Sequence, residues 1–108
     1  MSAASDEKKR RYPRVELPKG MWVAWDDGGK RWASHVQTLG MGGLFISIPD
    51  PPAVGTVVRL LIDVPSGEVR ARAIVRDVKP GQGMGVEFRE MAMGDRARLQ
   101  QLLKRLIA

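Results

Sequence analysis

The chain contains no cysteine, which excludes a disulfide framework, a thiolate zinc site and a cysteine nucleophile together. A cysteine-free sequence also suits a reducing compartment. Its single histidine, His35, has no second imidazole with which to hold zinc and no partner with which to form a catalytic triad. Asp26 and Asp27 are adjacent carboxylates, but Gly28 and Gly29 follow them at once, and such a cluster shapes a turn. The glycines of Gly40-Met41-Gly42-Gly43 are not followed by Gly-Lys-Ser/Thr, so they do not form a Walker loop. No apolar run in the sequence approaches the roughly 18 residues of a membrane-spanning helix. The opening stretch Met1 to Glu7 is polar and acidic, without the apolar core of a secretory leader, and a cytoplasmic location is expected. Aromatic residues are scarce, with only Phe45 and Phe88 beyond residue 36. Two rings are few for the stacking platform of a nucleic-acid-binding sheet, which argues against that class. A binding or interaction module is expected rather than an enzyme.

What is present fits a small globular protein. At 108 residues the chain suits one domain. Hydrophobic residues make up 44% and charged residues 28%, both ordinary proportions for a packed domain. The net charge of +6 favours anionic partners such as nucleotides, nucleic acid or acidic protein surfaces, without choosing among them. Residues 1–9 carry only Met1 and two alanines as apolar side chains and read as a disordered tail. Residues 10–108 read as the domain.

Strand signals follow one another along that domain. Pro13 and Pro18 bracket Arg14-Val15-Glu16-Leu17, an extended piece. Met21 to Trp25 and Arg31 to Gln37 form a hairpin around Asp27-Gly28. Leu44 to Ile48 comes next, and Pro49-Asp50-Pro51-Pro52 then makes a rigid loop. From Thr56 to Val64, Val58, Leu60, Ile62 and Val64 alternate with the polar Arg59 and Asp63. From Glu68 to Val78, Val69, Ala71, Ala73 and Val75 alternate with Arg70, Arg72 and Arg76. That period of two marks a sheet with one dry and one wet face. Gly83 to Phe88 is the last strand. From Asp95 to Ala108 the period changes: Leu99, Leu102, Leu103 and Leu106 line one face of a helix, with Asp95 as its cap. So short a helix needs a surface to dock on, and its own barrel is expected to supply it. The tryptophans Trp22, Trp25 and Trp32 flank the hairpin and are expected as core residues or cross-strand pairs. His35 is expected as a partly buried structural residue. The fold expected is all-β: a six- or seven-stranded antiparallel β-barrel with a C-terminal amphipathic α-helix.

The basic run Lys8 to Arg14 sets Arg10 and Arg14 four residues apart, with Arg11 between them. In an extended segment, positions i and i+4 lie on one side, roughly 13 Å apart. Two guanidinium forks so placed match phosphate oxygens, or the O6 and N7 edge of guanine. This R-x-x-x-R, the later Thr38-Leu39-Gly40-Met41-Gly42-Gly43 running into Leu44-Phe45-Ile46, the stretch Pro52 to Val58, and Gly83 to Phe88 before the helix stand in one order. In that order and spacing the chain resembles the PilZ family over about residues 9–107.

The resemblance implies a bacterial module that recognises cyclic di-GMP. It also implies a ligand site of Arg10, Arg11, Arg14, Thr38, Gly40 and Gly43, with cyclic di-GMP as ligand and no metal or cofactor. In the family the second motif reads D/N-x-S-x-x-G; here Thr38 stands at the Asp or Asn position and Gly40 at the Ser position. A threonine has one hydroxyl and does not accept two guanine N–H groups as a carboxylate does. Loss of a charge-assisted hydrogen bond costs roughly 1.5–3 kcal/mol, about ten- to a hundredfold in affinity. Two outcomes stay open: binding that persists through the arginines and backbone, or an adaptor that works through a protein partner without nucleotide.

Overall fold

The computed structural model describes residues 14–16 and 21–107. The tail over residues 1–9 and the candidate residues Arg10 and Arg11 lie outside them. Seven strands precede one helix: β1 (Arg14–Glu16), β2 (Trp22–Asp26), β3 (Arg31–Gly40), β4 (Gly43–Ser47), β5 (Val57–Val64), β6 (Gly67–Lys79), β7 (Gly83–Met91) and α1 (Met93–Ile107). Every pairing is antiparallel. The order β3-β2-β5-β6-β7-β4 closes on itself through β3–β4, giving a six-stranded barrel with no free edge among those strands. β1 is the seventh strand. It runs along β3 beyond the end of β2, with residues 14–16 against 40–38 and residues 22–26 against 35–31.

The alternation read from the sequence is the alternation of burial. Val58, Leu60, Ile62 and Val64 of β5 and Val69, Ala71, Ala73 and Val75 of β6 face the interior, while Arg59, Arg70, Arg72 and Arg76 are exposed. Trp25 is buried in the core and stacks on Trp32 opposite it, ring centroids 4.3 Å apart. Its indole N–H donates to the Ser34 hydroxyl at 3.1 Å, so burying the ring strands no polar atom. The first hairpin closes as its aspartates suggest: Gly28 N–H donates to Asp26 Oδ1 at 3.0 Å, and Gly29 N–H to Asp27 Oδ1 at 3.1 Å.

Two details differ from the sequence reading. His35 is exposed on the outer face, its ring 3.8 Å from that of Trp22, because its alternation partners Ser34 and Val36 take the inward positions. The helix begins at Met93, two residues before Asp95. Asp95 therefore sits inside the first turn, where it accepts a hydrogen bond from Arg98 Nη1 at 3.2 Å and favours the positive end of the helix dipole rather than capping it. Leu99, Leu102 and Leu103 are buried in the common core, and Leu106 packs against it. The helix thus docks on its own barrel. No helix is long and apolar enough to cross a membrane among the described residues.

Candidate functional site

A β-bulge prepares the candidate loop. In β3, Ser34 and Val36 point inward, but the ladder with β4 shifts register between Val36 and Thr38. One extra residue reverses the parity, so that Leu39 rather than Thr38 enters the core. Thr38 is left on the outer side, half-buried. There it has a ladder partner on each side, Glu16 in β1 and Phe45 in β4. Two residues on, Gly40 stands opposite Arg14. The first and second motifs, 24 positions apart between Arg14 and Thr38 in the sequence, are therefore joined by one ladder, on rungs either side of Val15–Leu39. Arg14 and Gly40 form one rung, and Glu16 and Thr38 another.

Gly43 opens β4 and faces Glu87 of β7. A Cβ built on Gly43 would run into the Val86 carbonyl oxygen, and Phe88 N–H donates to the Gly42 carbonyl at 2.9 Å beside it. Glycine at 43 is thus what lets the loop lie against β7. The same logic operates further along β4. Phe45 faces Gly85, and its Cε1 lies 2.7 Å from where a Cβ on Gly83 would stand. Gly83 thus leaves room for the Ile46 carbonyl and the phenylalanine ring, and Lys79 Nζ sits 5.8 Å from that ring's centre.

The loop has two cationic neighbours, Arg76, which the sequence pattern set on a wet strand face, and Arg89, which it did not single out. Arg76 donates from Nε (3.2 Å) and Nη2 (3.1 Å) to Glu87 Oε1, and Arg89 Nη1 lies 3.4 Å from the same oxygen. All three side chains are about half exposed, so the pairs are weak as stabilisers, and the guanidinium groups keep donors free for an anion. Their position follows from the register of Gly43 against Glu87, for which the one-dimensional pattern offers no signal. Among the described residues no group of three or more His, Asp or Glu side chains is placed to hold a metal ion. Chemically, the half-exposed guanidinium groups of Arg76 and Arg89, gathered at Glu87 opposite Gly43, can hold an anion.

Comparison with known proteins yields a family and a fold. The PilZ domain family matches residues 8–105. By structure the chain resembles the Bacillus subtilis inhibitor of motility MotI/DgrA, with a TM-score of 0.76 and 23% identity over 91% of this chain and 51% of that one. It resembles MrkH of K. pneumonia in complex with cyclic di-GMP at a TM-score of 0.71 and 17% identity, again over 91% and 51% of the two chains. The PilZ domain of YcgR from Escherichia coli, also with cyclic di-GMP, aligns at a TM-score of 0.74 and 12% identity over 92% of each chain. The chain therefore spans about half the length of MotI and MrkH and nearly all of the YcgR domain. At these identities the likeness is one of fold. Among curated proteins, none matches by sequence.

Proposed function

The chain belongs to the PilZ domain family, and from that premise we propose that it is a cyclic di-GMP-binding signalling module rather than an enzyme. The observation that carries this reading is the β1–β3 ladder, which pairs Arg14 with Gly40 and Glu16 with Thr38. It sets Arg14, the second arginine of the motif, against the strand that leads into Thr38-x-Gly40-x-x-Gly43, and Arg10 and Arg11 complete the proposed site from the preceding segment. A ligand with two phosphates and two guanines offers each guanidinium fork either an anionic or a Hoogsteen edge. The fold is shared with the MrkH and YcgR structures that carry cyclic di-GMP, which supports the same reading. Gripping the ligand from β1 ties the preceding basic arm to the barrel, and that coupling is the output a partner protein reads.

Titration calorimetry with cyclic di-GMP, with GTP as control, tests the proposal. Binding of cyclic di-GMP alone is expected, lost in Arg10→Ala and in Arg14→Ala. Thr38→Asn restores an amide that both accepts and donates, and is expected to tighten binding by about tenfold. Asparagine is preferable to aspartate here because Glu16 is the rung partner of Thr38, and like charges directly opposed across a ladder repel. Absence of heat in both the native chain and Thr38→Asn would sink the sensor reading. It would favour the second one, a nucleotide-independent adaptor, which draws its support from the Thr38 hydroxyl standing where the family has Asp or Asn.

A further inference from the structure

Thr38 leaves the proposed site without one chemical group, an acceptor for the paired N1–H and N2–H donors of a guanine edge. The register of the barrel brings a carboxylate to the far end of the motif row. Arg14 of β1 faces Gly40 of β3. β3 ends at Gly40 and β4 begins at Gly43, so beyond the Leu39–Leu44 rung the two glycines stand side by side across Met41-Gly42. Gly43 in turn faces Glu87 of β7, whose Cα lies 3.2 Å from where a Cβ on Gly43 would stand. One row across four strands therefore reads Arg14, Gly40, Gly43, Glu87, and only its two ends carry side chains. Three strand spacings of about 4.8 Å set those ends about 14 Å apart, room for one purine reached by a side chain from each end.

The Glu87 carboxylate is fixed through one oxygen and free at the other. Arg76 donates to Oε1 from Nε at 3.2 Å and from Nη2 at 3.1 Å, and Arg89 Nη1 lies 3.4 Å from the same atom. Oε2 accepts no hydrogen bond from the described residues, although a carboxylate has acceptor sites on both oxygens. The side chain is 47% exposed, which leaves it accessible to a ligand. Both arginines belong to β6 and β7, and on the β4 side Gly43 contributes no side chain. Two guanidinium groups on one carboxylate also leave the cluster net positive, so it does not repel the phosphates of an anionic ligand.

We propose that Glu87 is a specificity-determining residue of this site, its free oxygen accepting from the N1–H and N2–H edge of one guanine. Arg76 and Arg89 are positioning residues that hold the carboxylate in place. This role rests on the cyclic di-GMP reading and adds to it the group that tells guanine from other purines. Adenine has no donor at N1 or C2, and hypoxanthine lacks the exocyclic amine, so each forfeits at least one hydrogen bond to Glu87. A phosphate that displaced Glu87 from both arginines would reverse the role. The motif already supplies guanidinium forks for phosphate in Arg10, Arg11 and Arg14, however, and what it lacks is an acceptor.

Titration calorimetry with cyclic di-GMP and with cyclic di-IMP, whose hypoxanthine rings lack the amine, tests this on the native chain and on Glu87→Gln. The native chain is expected to prefer cyclic di-GMP by about tenfold or more, the worth of one hydrogen bond to a charged group. Glu87→Gln keeps the size of the side chain and removes only weak, half-exposed ion pairs, so its thermal midpoint should stay near the native one. It is expected to lose about tenfold or more in affinity for cyclic di-GMP and to bind the two ligands within about threefold of each other. Arg76→Gln, which loosens the carboxylate without removing it, is expected to show an intermediate preference. A native chain without the preference, or a Glu87→Gln variant that keeps it or binds cyclic di-GMP more tightly, overturns the proposal and leaves the cyclic di-GMP reading standing. A preference lost in Glu16→Gln instead overturns it in favour of the residue opposite Thr38. A native chain that binds neither ligand overturns both.

Discussion

Gly43 matches the family's motif glycine, yet its immediate physical requirement comes from β7. With the Val86 carbonyl oxygen filling the space a Cβ would need, Gly43→Ala must push two backbones apart. Overpacking of this kind costs about 1–3 kcal/mol, expected as a lower urea midpoint at unchanged slope, with or without ligand present. A variant as stable as the native chain would mean that the β4–β7 contact relaxes freely. The Asp26 carboxyl is held below the usual aspartate range, first by the Gly28 N–H and next by the hydrogen bond from Arg59, against a small opposing effect of burial. Because the folded form holds its proton less tightly than the unfolded form does, Asp26 contributes stability above the ordinary value of 3.8. That contribution is lost as pH falls through the lowered folded value. Denaturation midpoints measured from neutral pH into acid are expected to fall more gently for Asp26→Asn than for the native chain over that window. Single residues of this kind were partly legible in the sequence. Asp26 and Asp27 announced a turn, but nothing in the sequence announced Arg59, 33 positions on, as the partner of Asp26.

At the scale of elements, legibility followed period. Long alternating strands such as β5 and β6 declared their inner faces residue by residue, because a period of two cannot be shifted without exposing every apolar side chain at once. The bulge at Val36–Thr38 was not readable, since an inserted residue in β3 is defined by its count against β4 and not by composition. Yet that bulge decides whether Thr38 stands on the outer side or in the core. The helix was legible in its leucine stripe and misread at its start. Met93 and Gly94 lack a capping signal, and the chain reaches them directly from β7. Since Leu99 is fully buried in the common core, Leu99→Ala is expected to cost about 2–5 kcal/mol. Far-UV helical signal and tryptophan fluorescence should still report one coincident transition, because helix and barrel share that core. A helix that melted ahead of the barrel would contradict the shared core.

At the scale of the whole molecule, closure of the barrel through β3–β4 and β4–β7 distributes function around its circumference. Closure depends on ladders between segments as distant as Gly43 and Glu87, so the sequence indicated a barrel without showing which outward residues become neighbours. The consequence is a motif surface assembled from strands far apart in the chain: β3 pairs with β1 and with β4, and Gly43 of β4 faces Glu87 of β7, which in turn holds Arg76 of β6. Arg14→Ala is expected to abolish the calorimetric response to cyclic di-GMP, and a response that persists would contradict the proposed site.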